Sequence, residues 1–220
     1  MDNVTLESRL AALRDASAAR LPQLTHLNER LFADLRKSLL PKALEIGDHA
    51  PDIDLWVAQD GTRSRLSWVL DTGPAVLCFY RGHWDPYSNV QATALQRAYP
   101  DISAFGARLL FIGPEMRHNA RKMADKWSLD YPVIADAGGH NMDAFRISYE
   151  IPDYMRADYV NLGFPELNPV TAWRLPVTAT YIVDQMSVIR LRHLDADYTR
   201  RLEPTEIAAA LRKLKRSIAA

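Results

Sequence analysis

The chain has 220 residues, 48% hydrophobic and 25% charged, the composition of an ordinary globular protein with one large domain. Lysine plus arginine and aspartate plus glutamate number 27 each, so net charge gives no reason to expect nucleic acid or an anionic membrane as partner. No apolar run approaches the roughly 18–20 residues that span a bilayer, and the N-terminus lacks the basic and apolar regions of a secretory signal. We therefore expect a cytoplasmic protein.

The first 40 residues predict helices. Leu6, Leu10 and Leu13 are spaced i, i+4 and i+7, and a second leucine series follows after a proline. Such an apolar stripe must be buried on the main domain or on a partner subunit. A Gly-Asp-His-Ala-Pro segment then interrupts the pattern. We expect an N-terminal helical extension over residues 1–45 and a main domain over residues 46–220.

From residue 52 onward, segments with strand and helix character alternate. Strands are predicted over 52–57, 62–66, 75–80, 108–112, 131–135, 180–184 and 188–193. Helices are predicted over 88–104, about 116–127, 140–147, 152–162 and 207–218. Strands separated by helices indicate right-handed βαβ units. The predicted fold class is α/β, a mixed central sheet flanked by helices on both faces.

One loop stands out between the predicted strand 75–80 and the helix that follows. A strand, a tight loop and a helix N-terminus bring unpaired N–H groups and the positive end of the helix dipole to one point, which stabilises an anion. In redox proteins this arrangement holds a thiolate and lowers its pKa. Here the loop resembles a thioredoxin-type active-site loop in which both sulfurs are replaced, by Asp85 and Ser88.

The same segment resembles the FYRGxWCPYCNxxxxxLQ loop of the peroxiredoxin-like branch of the alkyl hydroperoxide reductase/thiol-specific antioxidant (AhpC/TSA, redoxin) family. The matching residues are Phe79, Tyr80, Arg81, Gly82, Trp84, Pro86, Tyr87, Asn89, Leu95 and Gln96. Further segments resemble the domain opening, the closing hairpin and the C-terminal part of that family, at 47–52, 181–190 and 197–204. The resemblance implies a thioredoxin-like fold and a homodimer.

Three departures from the family pattern concern its chemistry. Asp85 stands at the first cysteine position, Ser88 at the position of the peroxidatic sulfur, and Thr178 where the thioredoxin fold has its cis-proline. A serine cannot form the sulfenate of a thiol peroxidase. The single cysteine, Cys78, lies in mid-strand and is predicted to be a buried, inert residue.

Asp85 has two interpretations: a helix-capping residue, or a carboxylate that acts as general base or metal ligand. His83 is either a structural residue or an acid–base group. A triad of His83, Asp85 and Ser88 needs a geometry that close sequence neighbours rarely provide. A metal site would need further ligands, such as His118, Glu115 or His140, without any supporting motif, so we predict neither metal nor cofactor.

We expect a small-molecule pocket above the strand ends, where open α/β sheets bind ligands. Its predicted lining residues are Arg81, Trp84, Tyr87, Thr178 and Arg174. Asp85 should lie at this cavity with His83 at its mouth, whereas the Arg200-Arg201 pair is expected on a solvated surface.

Three hypotheses for the function follow. The first is a non-redox enzyme in which Asp85 and His83 carry acid–base chemistry, with Ser88 orienting the ligand. The second is a non-catalytic binding or scaffold protein. The third is an engineered inactive form of a peroxiredoxin-like oxidoreductase.

Overall fold

The computed structural model describes residues 5–161, 164, 170–171 and 173–218. Its strands are β1 (Asp54–Trp56), β2 (Arg63–Arg65), β3 (Ala75–Phe79), β4 (Arg108–Gly113), β5 (Val133–Ala135), β6 (Ser148–Glu150), β7 (Arg174–Pro176), β8 (Ala179–Val183) and β9 (Ile189–Leu194). Its α-helices are α1 (Leu6–Arg20), α2 (Pro22–Ser38), α3 (Leu66–Leu70), α4 (Pro86–Ser103), α5 (Arg117–Trp127), α6 (His140–Ala144), α7 (Asp153–Asn161) and α8 (Pro204–Ile218). Among the described residues, no helix is both long and apolar enough to cross a bilayer.

A five-stranded mixed sheet forms the centre, in the order β5-β4-β3-β8-β9. The β3–β4 and β4–β5 pairs are parallel, while β8 and β9 continue the sheet in antiparallel pairing. The strands predicted over 52–57 and 62–66 contain β1 and β2, which pair with each other in antiparallel orientation. Parallel neighbours require crossover helices, and α4 supplies the one between β3 and β4. This crossover places the start of α4 at the carboxyl end of β3.

The central strand β3 is buried on both faces, which its continuous apolar sequence favours. Ala75, Leu77 and Phe79 face one core layer, shared with side chains of α3 and α6. Val76 and Cys78 face the other layer, shared with side chains of α4, α5 and α8. Helices on both faces of the mixed sheet confirm the predicted fold class.

The N-terminal helices pack against the domain of the same chain. Leu6 and Leu10 of α1 share an apolar cluster with Tyr87 of α4. The α2 stripe, which includes Leu31 and Phe32, is buried in a cluster with side chains around β6, β7 and α7. The chain therefore buries these stripes itself, and the division between residues 45 and 46 stays a prediction.

The observed elements agree with most of the predicted ones, with shifted ends. The segment expected as helix over 140–147 ends already at Ala144, because the chain turns at Arg146, whose φ is +58°, before β6 begins at Ser148. The small antiparallel β6–β7 sheet and the one-turn helix α3 were not predicted. Each has only three to five residues, too few for a hydrophobic period to appear in the sequence.

Candidate functional site

The loop between β3 and α4 turns sharply at Gly82. Its φ of +155° is a conformation that residues with a side chain rarely adopt, and a Cβ placed there would collide with Trp84 Nε1. The turn is closed by the Asp85 N–H, which donates to the Gly82 carbonyl at 3.1 Å. Glycine therefore lets the Trp84 indole pack directly on the backbone of the turn.

Asp85 is the N-cap of α4. Its Oδ2 accepts hydrogen bonds from the backbone N–H of Ser88 at 3.1 Å and from the Ser88 hydroxyl at 2.5 Å. Pro86 occupies the first turn, where its missing N–H leaves no hydrogen bond unmade. The bond from the Ser88 N–H to the Asp85 carboxylate is that of a helix cap, as the capping interpretation predicts. Asp85 is also buried, with 1% of its surface exposed.

Two buried arginines flank the Asp85 carboxylate. Arg81 Nη1 lies 3.6 Å from Oδ1, and Arg201 Nη2 lies 3.8 Å from Oδ2. Arg201 also donates through Nε to Gln91 at 2.9 Å. Burial, together with the nearby charge of Arg81, lowers the pKa of Arg201 to about 10, against the opposing effect of Asp85. Arg201 still carries its positive charge at pH 7, and two cations share one carboxylate.

Aromatic rings enclose the Arg81 guanidinium. Its central carbon lies 3.8 Å from the ring centroid of Tyr198, 5.1 Å from that of Trp84 and 5.9 Å from that of Tyr159. Arg81 Nη2 also donates to the Tyr159 hydroxyl. Burial raises the pKa of Tyr159 and of Tyr198, so both hydroxyls are neutral at pH 7 and bring no negative charge to the arginines.

A cavity of about 430 Å³ lies between this loop and the N-terminal helices. The helices α1 and α2 form one wall and the loop forms the opposite wall. The volume is in the range of small-molecule sites. The cavity lining includes Ala18, Leu24, Asn28, Glu29, Phe32, Arg36, Arg81, Trp84, Asp85, Tyr87, Tyr159, Asp197 and Tyr198. Of the predicted pocket residues, Arg81, Trp84 and Tyr87 line this cavity together with Asp85.

His83 lies elsewhere, outside the cavity lining. Its Nδ1 contacts Glu115 Oε1, and its backbone N–H donates to the same oxygen at 2.8 Å. Glu115 is fully buried and accepts a third hydrogen bond from the Tyr80 hydroxyl at 2.8 Å. The expectation of His83 at the cavity mouth is wrong, because the buried Glu115 carboxylate binds the imidazole instead.

The other predicted residues are placed as follows. Ser88 is buried and does not line the cavity, and its hydroxyl bonds to Asp85. The His83 side chain is bound to Glu115 instead of to Asp85. Thr178 is buried just before β8 and does not line the cavity. Arg174 is held by Asp143 at 2.8 Å and by the Gly138 carbonyl at 3.0 Å, away from the cavity. The triad is therefore not assembled.

The sequence analysis did not place Arg201, Tyr198 or Tyr159 at the site, and it considered Glu115 only as a possible metal ligand. Arg201, expected on a solvated surface, is 6% exposed and contacts Asp85. A usable signal was its position inside the 197–204 segment that resembles the family. Local hydrophobic periodicity gave no sign of it, because the contact joins two segments far apart in the chain.

Cys78 is buried as predicted, facing the core layer under α4. Burial raises the pKa of its thiol to about 12, only partly offset by Thr180 and Arg201, so the thiol is protonated at neutral pH. Within the described ranges, no three His, Cys, Asp or Glu side chains come together as a metal site would require.

The sequence profile of the AhpC/TSA family matches residues 46–192. Two curated proteins of Mycobacterium tuberculosis, both with "peroxiredoxin" in their names, are 30% identical to this chain over 96 residues. The match covers 44% of this chain and 62% of each of theirs, so the chain spans about three fifths of those relatives.

Solved structures agree in fold. The crystal structure of the peroxidoxin BcpB from Mycobacterium tuberculosis has a TM-score of 0.61 at 20% identity, over 78% of this chain and 98% of that one. A cysteine-to-serine mutant of the peroxiredoxin 6 of Arenicola marina has a TM-score of 0.64 at 15% identity, over 80% of this chain and 75% of that one. At these identities the likeness concerns the thioredoxin-like fold alone. With the profile match over residues 46–192, the chain belongs to the AhpC/TSA family.

Proposed function

We propose that this chain binds a small molecule in the cavity between the N-terminal helices and the Arg81–Tyr87 loop, and that it lacks thiol peroxidase chemistry. The observation that carries the proposal is the cavity itself. It meets the loop at Asp85, which stands at the family's first cysteine position and lines the cavity. Ser88, at the position of the peroxidatic sulfur, is buried beside Asp85 and outside the lining.

The proposed loss of peroxidase activity rests on the absence of a usable thiolate. The Ser88 hydroxyl cannot pass through the sulfenate and disulfide states of the thiol cycle. Cys78 is the only cysteine of the chain, and it is buried with a raised pKa. A protonated thiol inside the core is a poor nucleophile towards peroxide.

Unpaired polar atoms on lining residues support ligand binding. Asn28 Oδ1, Arg81 Nε and Trp84 Nε1 are buried, and none has a hydrogen-bond partner in the described part of the chain. Buried polar groups are nearly always hydrogen-bonded, so such atoms require a partner such as water or a ligand. Three of them on residues around one cavity are consistent with a site that a polar molecule completes.

Acid–base catalysis by Asp85 is a second candidate function, favoured by the position of this carboxylate in the cavity wall. Both Asp85 oxygens already have internal partners, so accepting a proton from a substrate requires one of those contacts to open. His83 would act only through a rearrangement that breaks its contact with Glu115. Ligand binding without catalysis needs neither step, and for this reason we place it first.

A cytoplasmic location and a homodimer accompany the proposal. The location rests on the sequence reasoning above. The homodimer rests on family membership, because the N-terminal apolar stripes are covered within one chain.

A pair of neighbouring alanines on α1 provides the binding test. Ala18 lines the cavity, whereas Ala19 is exposed and does not line it. A small-molecule fragment library is screened against the full chain by saturation-transfer NMR. We expect binders whose signal is lost in Ala18→Trp, which fills the cavity, and kept in Ala19→Trp. If no fragment distinguishes the two variants, the cavity is not the binding site.

Peroxide consumption tests the second part of the proposal. We expect no turnover of hydrogen peroxide or an alkyl hydroperoxide with dithiothreitol or a thioredoxin system as reductant. Saturable turnover that disappears in Cys78→Ala would show that Cys78 is reactive and that the proposed loss is wrong.

A further inference from the structure

We infer that the ligand of this cavity is a small amphipathic carboxylate, held by its carboxylate near Arg81 and by an apolar body between the two cavity walls. The inference rests on the proposed function and specifies its ligand. It is drawn from the charges, the unpaired donors and the apolar lining of the site.

The charge balance at the loop favours an anion. Arg81 and Arg201 have side chains that are 3% and 2% exposed, and they share the single carboxylate of Asp85. The hydroxyls of Tyr159 and Tyr198 beside them are neutral. Buried charges are normally paired, so this cluster of two cations and one anion has one positive charge in excess. A ligand with one negative charge balances it, whereas a phosphate dianion would exceed it.

The acids nearest to this cluster do not remove the excess. Asp197 lines the cavity, but its carboxylate accepts two hydrogen bonds from Thr199. The same carboxylate also lies 3.5 Å from Arg200, an exposed arginine with which it forms an ion pair. Glu29 lines the cavity from α2, with a side chain that is 72% exposed and next to His26. Asp85 is the carboxylate within ion-pair distance of both arginines, whereas Asp197 acts on Arg201 as a weaker charge and has hydrogen-bond and ion-pair partners of its own.

The unpaired atoms of the cluster are donors. Arg81 Nε, Arg201 Nη2 and Trp84 Nε1 are buried without a hydrogen-bond partner among the described residues. Arg81 and Trp84 line the cavity, the latter with its Nε1 next to the Gly82 backbone, and Arg201 lies behind Asp85, so Arg81 is the guanidinium that a ligand would meet first. Donors are satisfied by acceptors, and a carboxylate is an acceptor with several lone-pair sites that suits the planar guanidinium.

The cavity walls determine the rest of the ligand. The α2 side contributes Leu24 and Phe32, and the loop side contributes Trp84 and Tyr87. Tyr198, between β9 and α8, contacts Phe32 on one side and Tyr87 on the other. Apolar and aromatic walls favour a flat or extended apolar body, because binding buries apolar surface of both the ligand and the walls. Arg36, also in the lining, is exposed and has no ion-pair partner in the described structure, so the opening of the cavity also attracts anions.

The test compares an acid and its amide by titration calorimetry on the full chain at neutral pH. The probes are 4-phenylbutyrate and 4-phenylbutanamide, which share their apolar body and differ in charge. We expect the acid to bind at least about 10-fold more tightly than the amide, as a charge-assisted contact with a buried guanidinium provides. Arg81→Gln should abolish this preference. Arg97→Gln, which removes an exposed arginine of α4 outside the cavity, should keep it.

The possible failures are distinguishable. An amide that binds as tightly as the acid overturns the carboxylate inference and leaves the proposed function in place. The same holds if the acid does not bind at millimolar concentration, since the fragment screen then decides the proposed function by itself. Acid binding that persists unchanged in Ala18→Trp places the ligand outside the cavity and contradicts both proposals. The acid–amide comparison uses the unaltered protein, so it remains decisive if Arg81→Gln does not fold.

Discussion

The Ser88 hydroxyl donates a 2.5 Å hydrogen bond to the Asp85 carboxylate, joining the two residues that replace the family's cysteines. Asp85 in turn lies between the guanidinium groups of Arg81 and Arg201. The negative charge that a redox relative carries on sulfur is here carried by a carboxylate one helical turn earlier. The electrostatic arrangement at the start of α4 is thus retained without a thiolate.

Asp85→Asn should destabilise the protein by more than the loss of a helix cap. The substitution leaves two buried guanidinium groups without a counter-charge, for which we expect a loss of about 3–5 kcal/mol in the free energy of unfolding. A cap alone contributes about 0.5–2 kcal/mol. Urea denaturation measures the difference. Asp153→Asn is the control, since its side chain is 90% exposed in the first turn of α7. A loss below about 1 kcal/mol for Asp85→Asn would contradict the counter-charge role and would leave Asp85 with the role of a helix cap.

Introducing a thiol at position 88 tests the role of the neighbouring carboxylate. In Ser88→Cys, the Asp85 charge disfavours the thiolate and should keep its pKa high. In Ser88→Cys with Asp85→Asn, the thiolate becomes the only anion between Arg81 and Arg201. We expect this double variant to react with hydrogen peroxide at least about 10-fold faster than the single variant. The rate of sulfenate formation, followed by mass spectrometry, gives the comparison, and equal rates would contradict it.

Gly82→Ala should disturb the site through contact with Trp84. Gly47 offers a matched control, because its φ of +97° is also unfavourable for alanine while nothing lies within 4 Å of the place that a Cβ would take. Backbone strain alone should make Gly47→Ala cost about 1–2 kcal/mol. Gly82→Ala should cost about 1–3 kcal/mol more, because the added Cβ collides with the indole. Thermal unfolding compares the two variants, and equal losses would show that Trp84 moves freely.

Asp136 provides a pH-dependent prediction. Burial raises the pKa of this carboxyl to about 6, although the N–H groups of Asn141 and Met142 act in the opposite direction. A raised folded-state pKa means that the folded protein binds more protons than the unfolded chain between about pH 4 and pH 6. The contribution of Asp136 to stability is therefore greatest at low pH and is lost as the pH rises through about 6.

Unfolding of the unaltered protein and of Asp136→Asn at about pH 4 and about pH 7.5 measures this contribution. We expect the stability of the unaltered protein relative to the variant to fall by up to about 2–3 kcal/mol over this interval. Asp101→Asn, an exposed change on α4, should show no such trend. A constant difference for Asp136→Asn would mean that the pKa of this carboxyl is the same in the folded and the unfolded protein.

The sequence by itself determined the fold class and the identity of the loop. Apolar runs predict the main strands, and apolar residues three or four positions apart predict the main helices. Both patterns are local, because the buried face of an element determines the spacing of its apolar residues. The helix predicted over 88–104 begins two residues earlier, at Pro86, because proline in the first turn and the Asp85 cap start the helix there. The sequence also shows that Cys78 is the only cysteine and that the two active-site cysteine positions of the family hold Asp85 and Ser88.

Only the tertiary structure decided which side chains meet at the site. Arg201 reaches Asp85, His83 turns to Glu115, and α1 with α2 closes one side of the cavity. Each of these contacts joins segments that are distant in sequence, and no local propensity encodes such a pairing. A buried arginine or histidine pairs with the carboxylate that the packed elements place next to it. The partner is therefore determined by the tertiary structure.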